Sequence, residues 1–324
     1  MPDASSARIS PTEESGLTTA ALPRHRTTAT WALAALLFGG VAIALSPIFV
    51  RLSELGPTAT AFYRTALAVP ALFLWMQAEG SIGRRVRRTP QPATAAGRLP
   101  PRAALALATP AFFLAGDLIL WHWSIHFTSV ANATLLANFT PIFVTLFGFL
   151  LFGQRVRPAF LGALAVTVAG AAVLVGESVS LSRTSMVGDA LGIITAMFYA
   201  SYILSVARLR TQFGTAAIMA WTALGTSVLL FPAALASGES LWPATAYGWS
   251  VLLGLALVSH SIGQSTITFA LAHLPASFSS VGLLVQPAMA AVFAWAILGE
   301  PLTVAKMAGG AIVLIGILLA KRAS

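Results

Sequence analysis

The sequence contains no cysteine and little charge. Without cysteine the chain has no disulfide framework, no thiolate nucleophile and no Cys-ligated zinc or iron–sulfur centre. Only 9% of the 324 residues are charged, whereas soluble domains carry about 25%. Because 57% of the residues are hydrophobic, the composition excludes an ordinary water-soluble globular protein.

Ten apolar segments are long enough to cross a membrane. A spanning helix needs about 20 mostly apolar residues, and runs of this kind follow one another along the chain. We therefore predict an all-α polytopic membrane protein with ten transmembrane helices. Residues 1–30 lack apolar periodicity, which predicts a disordered cytoplasmic tail. The predicted helices cover 31–50, 57–77, 103–125, 130–152, 158–176, 187–207, 215–236, 247–270, 277–298 and 303–320.

The positively charged residues predict an orientation. A net charge of +9 suggests nucleic acid at first sight, but fifteen of the nineteen Lys and Arg residues fall on one side of the predicted helices. Six of them lie in the linker 79–102. Cytoplasmic loops carry such an excess. We therefore predict a plasma-membrane protein, in a bacterium of the inner membrane, with both termini cytoplasmic and no nucleic-acid partner.

One proline and two glycines recur with a constant offset of 146 residues. The pairs are Pro141 and Pro287, Gly153 and Gly299, and Gly170 and Gly316. Each copy holds five predicted helices, and an odd number of crossings inverts the second copy relative to the first. We therefore predict two inverted repeats, 31–176 and 187–321, an arrangement typical of transporters.

Around these landmarks the sequence resembles the EamA-type family of the drug/metabolite transporter superfamily. The resemblance rests on the stretches 128–136, 141–143, 151–153 and 286–300. Members typically end both helices with Gly-Glu, whereas this chain has Gln154 in its first half. The resemblance implies a ten-helix carrier that moves small metabolites, often outward. It also implies that helices five and ten are peripheral and that the other eight surround a central cavity.

Two charged residues fall inside predicted helices. Arg64 lies in helix two and Asp117 in helix three, at similar depths from the same predicted end. A charge near the bilayer centre costs about 2.5–3.5 kcal/mol and needs a partner or a wet cavity. Two interpretations stay open: a substrate or proton site, with Asp117 titrating or holding an amine and Arg64 holding a carboxylate, or a structural ion pair between the helices.

Other polar residues recur at helical spacing, so that each group shares one face of its helix. Such stripes are typical of a cavity wall, although interhelical hydrogen bonds place the same residue types. Tyr199 and Tyr202, with Trp121, offer a stacking surface for a planar substrate, or serve as packing aromatics that need none. The predicted substrate-binding or coupling residues are Arg64, Asp117, Trp121, Asn138, Tyr202, His260, Gln264 and Gln286.

Five further residues are predicted to have structural roles. Pro141 and Pro287 interrupt helices four and nine, either as hinges or as fixed bends, because proline removes a backbone donor. Gly153 and Gly299 end these helices. Glu300 follows at the expected start of helix ten, where the helix dipole stabilises a carboxylate.

The sequence contains no complete catalytic or metal-ligand set. His122 and His126 have a spacing that can hold a metal, but no further ligands accompany them, so we predict no metal and no cofactor. The predicted function is secondary transport by alternating access, with small metabolites such as amino acids or related amphipathic compounds exported. The alternative is a membrane-embedded enzyme that uses Asp117 and membrane histidines. Proton coupling or facilitated diffusion, and a homodimer through the glycines of helix ten, stay open.

Overall fold

The computed structural model describes residues 24–86, 101–127, 136–176 and 185–323, and every regular element within them is helical. The all-α polytopic prediction is confirmed: eight spans are long and apolar enough to cross a membrane, and two apolar helices are shorter. The helices are α1 (Arg24–Ala44), α2 (Ser46–Leu52), α3 (Pro57–Ala66), α4 (Ala68–Val86), α5 (Pro101–Phe127), α6 (Thr140–Phe152), α7 (Pro158–Gly176), α8 (Ser185–Leu209), α9 (Thr215–Ala236), α10 (Ala246–Gly254), a π-helical segment (Leu255–Gln264), α11 (Ser265–Ala270), α12 (Ala276–Gly282), α13 (Val285–Leu298) and α14 (Val304–Ala323).

Several helices extend beyond their predicted ends. α1 begins at Arg24, so the prediction of a disordered tail is wrong for residues 24–30. α4 continues to Val86, nine residues beyond the predicted end of helix two at 77. The added residues include Arg and Ala, which favour helix formation. The prediction rested on apolar runs, and these mark only the part of a helix that lies in the lipid. The remaining tail, the linker core and most of the motif at 128–136 lie outside the described residues.

Three of the long spans are interrupted within their length, and a similar break precedes the shorter helix α6. The breaks fall at Leu45, Leu67, Phe139 and Leu284, and a proline follows each by two or three residues. Because proline donates no hydrogen bond, the chain at these points makes shorter-range bonds, such as Ile142 N–H to the Phe139 carbonyl (2.9 Å). The predicted interruptions at Pro141 and Pro287 are present, and Pro47 marks one that the sequence prediction missed. α5 instead continues through Pro110.

The two halves of the chain do not form separate lobes. α8 of the second half packs against α5 and α6 of the first, whereas α1 of the first half packs against the π-helical segment, α11 and α13 of the second. α3 and α4 pack against α9, and α7 packs against α14. The molecule therefore contains two mixed bundles, α5–α6–α8 and α1–α11–α13, rather than a first and a second half that face each other.

Glycines let α7 and α14 approach backbone to backbone. A Cβ on Gly170 would lie 2.7 Å from the Val313 nitrogen, and one on Gly316 would lie 2.8 Å from the Thr167 nitrogen. Val313 stands 146 residues after Thr167, so the two contacts are reciprocal copies of each other. The glycine face of α14 is thus covered by α7 of the same chain.

We expect Gly170→Ala and Gly316→Ala each to lower the stability of the protein by about 1–3 kcal/mol, because the added methyl must push two backbones apart. Thermal unfolding of the detergent-solubilised protein measures the effect. Gly162→Ala is the matched control, since a Cβ at this position of α7 meets nothing within 4 Å. Equal melting temperatures for all three variants would contradict the close contact.

The predicted helix ends at Gly153 and Gly299 share one conformation. Both glycines have positive φ, 64° and 69°, which favours glycine. The next residue in each copy bonds back to the preceding turn: Gln154 N–H to the Gly148 carbonyl (3.0 Å) and Glu300 N–H to the Ala294 carbonyl (3.2 Å). These are C-terminal caps with a left-handed glycine, repeated with the 146-residue offset.

Glu300 does not lie at the start of the last helix. α14 begins at Val304, where the Thr303 hydroxyl accepts a hydrogen bond from the Lys306 N–H (3.2 Å). The Glu300 carboxylate forms an ion pair with Arg51 instead. Glycine and proline at 299 and 301 delay the helix, so this side chain can reach Arg51 in the last turn of α2.

Two further carboxylates connect the halves at the same end of the molecule. Glu239 accepts hydrogen bonds from the backbone N–H groups of Thr58 (3.2 Å) and Ala59 (2.8 Å), so it caps α3 from the other half. Glu54 accepts from Thr245, and these bonds lower the pKa of its carboxyl. At the opposite end Arg208 lies over the Phe152 ring, 5.4 Å from its centre. Contacts between the two halves therefore occur at both ends of the molecule.

Candidate functional site

Three of the four helix breaks border one cavity of about 160 Å³. Its wall contains the broken regions of α1–α2, α6 and α12–α13, and it also receives residues from α3, α5, α8 and the π-helical segment. α7 and α14 contribute no described residue to it, and neither does α9. The polar lining residues are Ser46, Arg64, Asp117, Trp121, Asn138, Thr140, Thr195, Tyr199, His260, Gln264, Ser280 and Gln286.

Arg64 and Asp117 both line this cavity but do not pair with each other. The side-chain ion pair found among the described residues joins Arg51 and Glu300 instead. Arg64 Nε is buried and has no hydrogen-bond partner in the described part of the chain. Asp117 lies within electrostatic range of Arg64 but accepts no hydrogen bond from a described residue. The arrangement does not fit a structural ion pair that locks two helices together.

Five of the other predicted site residues also reach the cavity: Trp121, Asn138, His260, Gln264 and Gln286. His260 and Gln264 lie on the π-helical segment, four residues apart. His260 Nε2 and Gln264 Oε1 are buried, and neither has a hydrogen-bond partner among the described residues. A π-helical turn widens the backbone and is frequent at functional sites; here it carries two polar groups that the protein leaves unsatisfied.

Tyr202 is not part of the cavity wall. It is 1% exposed and lies behind Tyr199, which lines the cavity in its place. The two rings are stacked, with centroids 5.7 Å apart and planes 15° apart. The predicted position of Tyr202 in the lining is therefore corrected to a second layer. Which face of α8 points to the cavity depends on how α8 packs against α5. The sequence of one helix does not reveal this packing.

The cavity includes polar residues that the sequence prediction missed. Ser46, Thr195 and Ser280 line it, together with Thr140. Ser46 was accessible to prediction, because it stands beside Pro47 in the middle of an uncharged apolar run. A buried serine next to a helix-breaking proline is a pattern of discontinuous transporter helices. The others are Ser and Thr residues of the kind that also join helices.

The histidines of α5 do not form a described metal site. His122 is buried, and its Nδ1 is 2.5 Å from the Leu118 carbonyl of the same helix. The side chain of His126 lies outside the described residues. Within the described ranges no group of three or more His, Asp or Glu residues comes together.

The cavity offers one cationic and one anionic group that interact electrostatically but form no direct ion pair, in a wall that also contains hydroxyl, imidazole, amide, aromatic and apolar side chains. No serine or threonine in the wall has a hydrogen bond to His260 or Asp117 among the described residues. The arrangement is therefore suited to binding a small ligand through charges and hydrogen bonds.

Several known proteins are similar to this chain, and those with named substrates are exporters. It is 27% identical to the pseudopaline exporter CntI of Pseudomonas aeruginosa over 63% of this chain and 70% of that protein. It is 29% identical to the threonine/homoserine exporter RhtA of Escherichia coli K12, over 62% and 65%. It is also 27% identical to a "Probable terminal-alkyne amino-acid exporter" of Streptantibioticus cattleyicolor, over 79% and 89%.

The fold has been seen before. A solved crystal structure superposes with a TM-score of 0.72 over 92% of this chain and 98% of that chain, at 17% sequence identity. The model of the EamA-like transporter family matches residues 27–176 and again residues 186–322. With its many apolar helices the protein is an integral membrane protein, and the chain belongs to the EamA-like transporter family.

Proposed function

We propose that this protein is a secondary transporter that exports small metabolites by alternating access. The observation that carries the proposal is the cavity at the meeting point of the broken helices, with Arg64 and Asp117 unpaired in its wall. Buried charges without partners are costly. They are retained where a ligand or an ion neutralises them for part of a cycle.

The substrate class follows from the two charges. A guanidinium binds a carboxylate and a carboxylate binds an ammonium group, so Arg64 and Asp117 together suit a zwitterion of amino-acid type. His260, Gln264 and Gln286 offer hydrogen bonds to its remaining polar groups, and Trp121 and Tyr199 offer apolar surface. The relatives named as exporters of threonine and homoserine or of an alkyne amino acid act on compounds of this class.

The proposed architecture is ten membrane crossings in two inverted five-helix repeats. Three features support it: the reciprocal contacts of Gly170 and Gly316, the matching caps at Gly153 and Gly299, and the exchange of partners between α1 and α8. In this arrangement the bundles α5–α6–α8 and α1–α11–α13 move against each other. The cavity between them then opens to one side of the membrane at a time.

A counterflow screen in proteoliposomes tests the proposal. Vesicles preloaded with one amino acid or related zwitterion take up labelled substrate only if the protein carries it. We expect at least one zwitterionic metabolite to exchange, and imposing a pH gradient distinguishes proton antiport from facilitated diffusion. Turnover of a substrate by the protein in detergent, with no exchange in sealed vesicles, would instead favour a membrane enzyme.

The proposed orientation places both termini in the cytoplasm of a bacterial inner membrane. The chain has no cysteine, so single cysteines report on topology without background. We expect Arg155→Cys to react with a membrane-impermeant maleimide only from the cytoplasmic side, and Ala244→Cys only from the opposite side, because these exposed residues lie in connections at opposite predicted ends. Labelling of both variants from one side would contradict the predicted alternation.

A further inference from the structure

Tyr202 belongs to a polar layer directly behind the cavity. Tyr202 and Thr268 are each 1% exposed, and neither lines the cavity. Tyr202 stands three residues beyond Tyr199 along α8, and Thr268 four residues beyond Gln264, which displaces each by about 5–6 Å toward the C-terminal end of its helix. Thr268, near the end of α11, donates a hydrogen bond to Met219 Sδ (3.2 Å), near the start of α9. Because α9 starts where α8 ends, the C-terminal ends of α8 and α11 lie at the same end of the molecule.

This layer contains buried polar groups that have no hydrogen-bond partner among the described residues. The Tyr202 hydroxyl lies beside Gln264 and Thr268, yet it makes no hydrogen bond of acceptable geometry with any described residue. Gln264 Oε1 likewise has no hydrogen-bond partner among the described residues. A buried hydroxyl or amide without a partner destabilises the state in which it is buried. A static wall gains nothing from such groups, since phenylalanine fills the same space without this cost.

We propose that Tyr202, with Gln264 and Thr268, forms the gate that closes the cavity toward the C-terminal end of α8. In the closed state seen here the Tyr202 ring stacks on Tyr199 and its hydroxyl lacks a partner. When the gate opens, water or the substrate reaches the hydroxyl. The unsatisfied groups thus destabilise the closed state relative to the open state, which keeps the closed state from being too stable to open. This inference rests on the proposed alternating-access function and adds a specific residue to it.

The test uses a reporter cysteine in the cavity wall, so that a reagent from the end of α8 must pass the gate to reach it. Thr195 lines the cavity two turns before Tyr202 on α8. In a Thr195→Cys background, a maleimide is applied from the side on which α8 ends. Because Tyr202→Phe removes the unsatisfied hydroxyl and keeps the stacked ring, we expect labelling to slow about fivefold or more. Tyr202→Ala removes the gate and should accelerate labelling by at least as much.

Tyr247→Phe is the matched control, because Tyr247 is exposed and lies in another part of the fold. It should leave the labelling rate unchanged. If Tyr202→Phe labels at the same rate as this control, or if Tyr202→Ala labels no faster, the gate is overturned. Should Tyr202→Ala fail to fold, Tyr202→Phe decides alone. Its melting temperature should not fall, whereas a hydroxyl with a structural hydrogen bond would lower it on removal.

Labelling needs no substrate, so the outcome is separable from the proposed function. Rates that do not respond to Tyr202 in a protein that performs counterflow would overturn only the gate. Failure of counterflow across the whole screen would overturn the exporter, whatever the labelling rates are.

Discussion

Asp117→Asn is expected to reduce transport at least about 100-fold while the protein still inserts and folds. Asparagine has nearly the same shape but carries no negative charge and releases no proton. If Asp117 holds the substrate ammonium group or a coupling proton, a loss of about 3 kcal/mol of charge-assisted binding is expected. The measurement is counterflow in proteoliposomes, with substrate concentration and pH both varied.

The matched control is Asp189→Asn. Asp189 lies on α8, in the bundle that also contains Asp117, but it does not line the cavity. Its replacement should leave the flux within about twofold. If Asp117→Asn is stably inserted and keeps the rate and pH dependence of the unmodified protein, Asp117 has no role in transport and the cavity needs another explanation.

The second large effect concerns stability. We expect Arg64→Gln alone to destabilise the protein by about 2–4 kcal/mol, because it leaves Asp117 as an unbalanced charge in the same cavity. Asp117→Asn alone should act similarly by isolating Arg64. The double variant Arg64→Gln/Asp117→Asn should recover most of the lost stability and yet transport nothing. Thermal unfolding in detergent and counterflow, measured on all four proteins, give the complete cycle.

Additive losses in the double variant would show that the two charges do not interact. Recovered transport in the double variant would show that they form a static pair and do not bind substrate. Arg64→Lys distinguishes a general positive charge from a guanidinium, because lysine cannot form the two parallel hydrogen bonds that arginine makes to a carboxylate.

The sequence was most informative where one residue type has one physical effect. Helix ends at Gly153 and Gly299 could be predicted because only glycine readily adopts a positive φ. The breaks at Pro141 and Pro287 could be predicted because proline donates no backbone hydrogen bond. Arg64 and Asp117 could be predicted to need a partner or a cavity because a charge in lipid is costly, and both line the cavity.

The sequence was least informative about partners. Glu300 was placed at a helix start, but its carboxylate reaches Arg51, almost 250 residues away in sequence. Tyr199 and Tyr202 both fit a stripe on α8, and only the packing of α8 against α5 puts Tyr199 in the cavity wall and Tyr202 behind it. Contacts at such separations depend on how all helices assemble, and no local periodicity records that.

By itself the sequence determined that this chain is a helical membrane protein with a repeated half, since hydrophobic length and residue spacing are local properties. Only the tertiary structure decided which surfaces meet. It interleaves the halves into mixed bundles, covers the glycines of α14 with α7 and brings three of the four helix breaks to one cavity. The physical reason is that lipid gives all apolar faces nearly the same environment, so the close fit of small residues and the placement of polar groups select the partners.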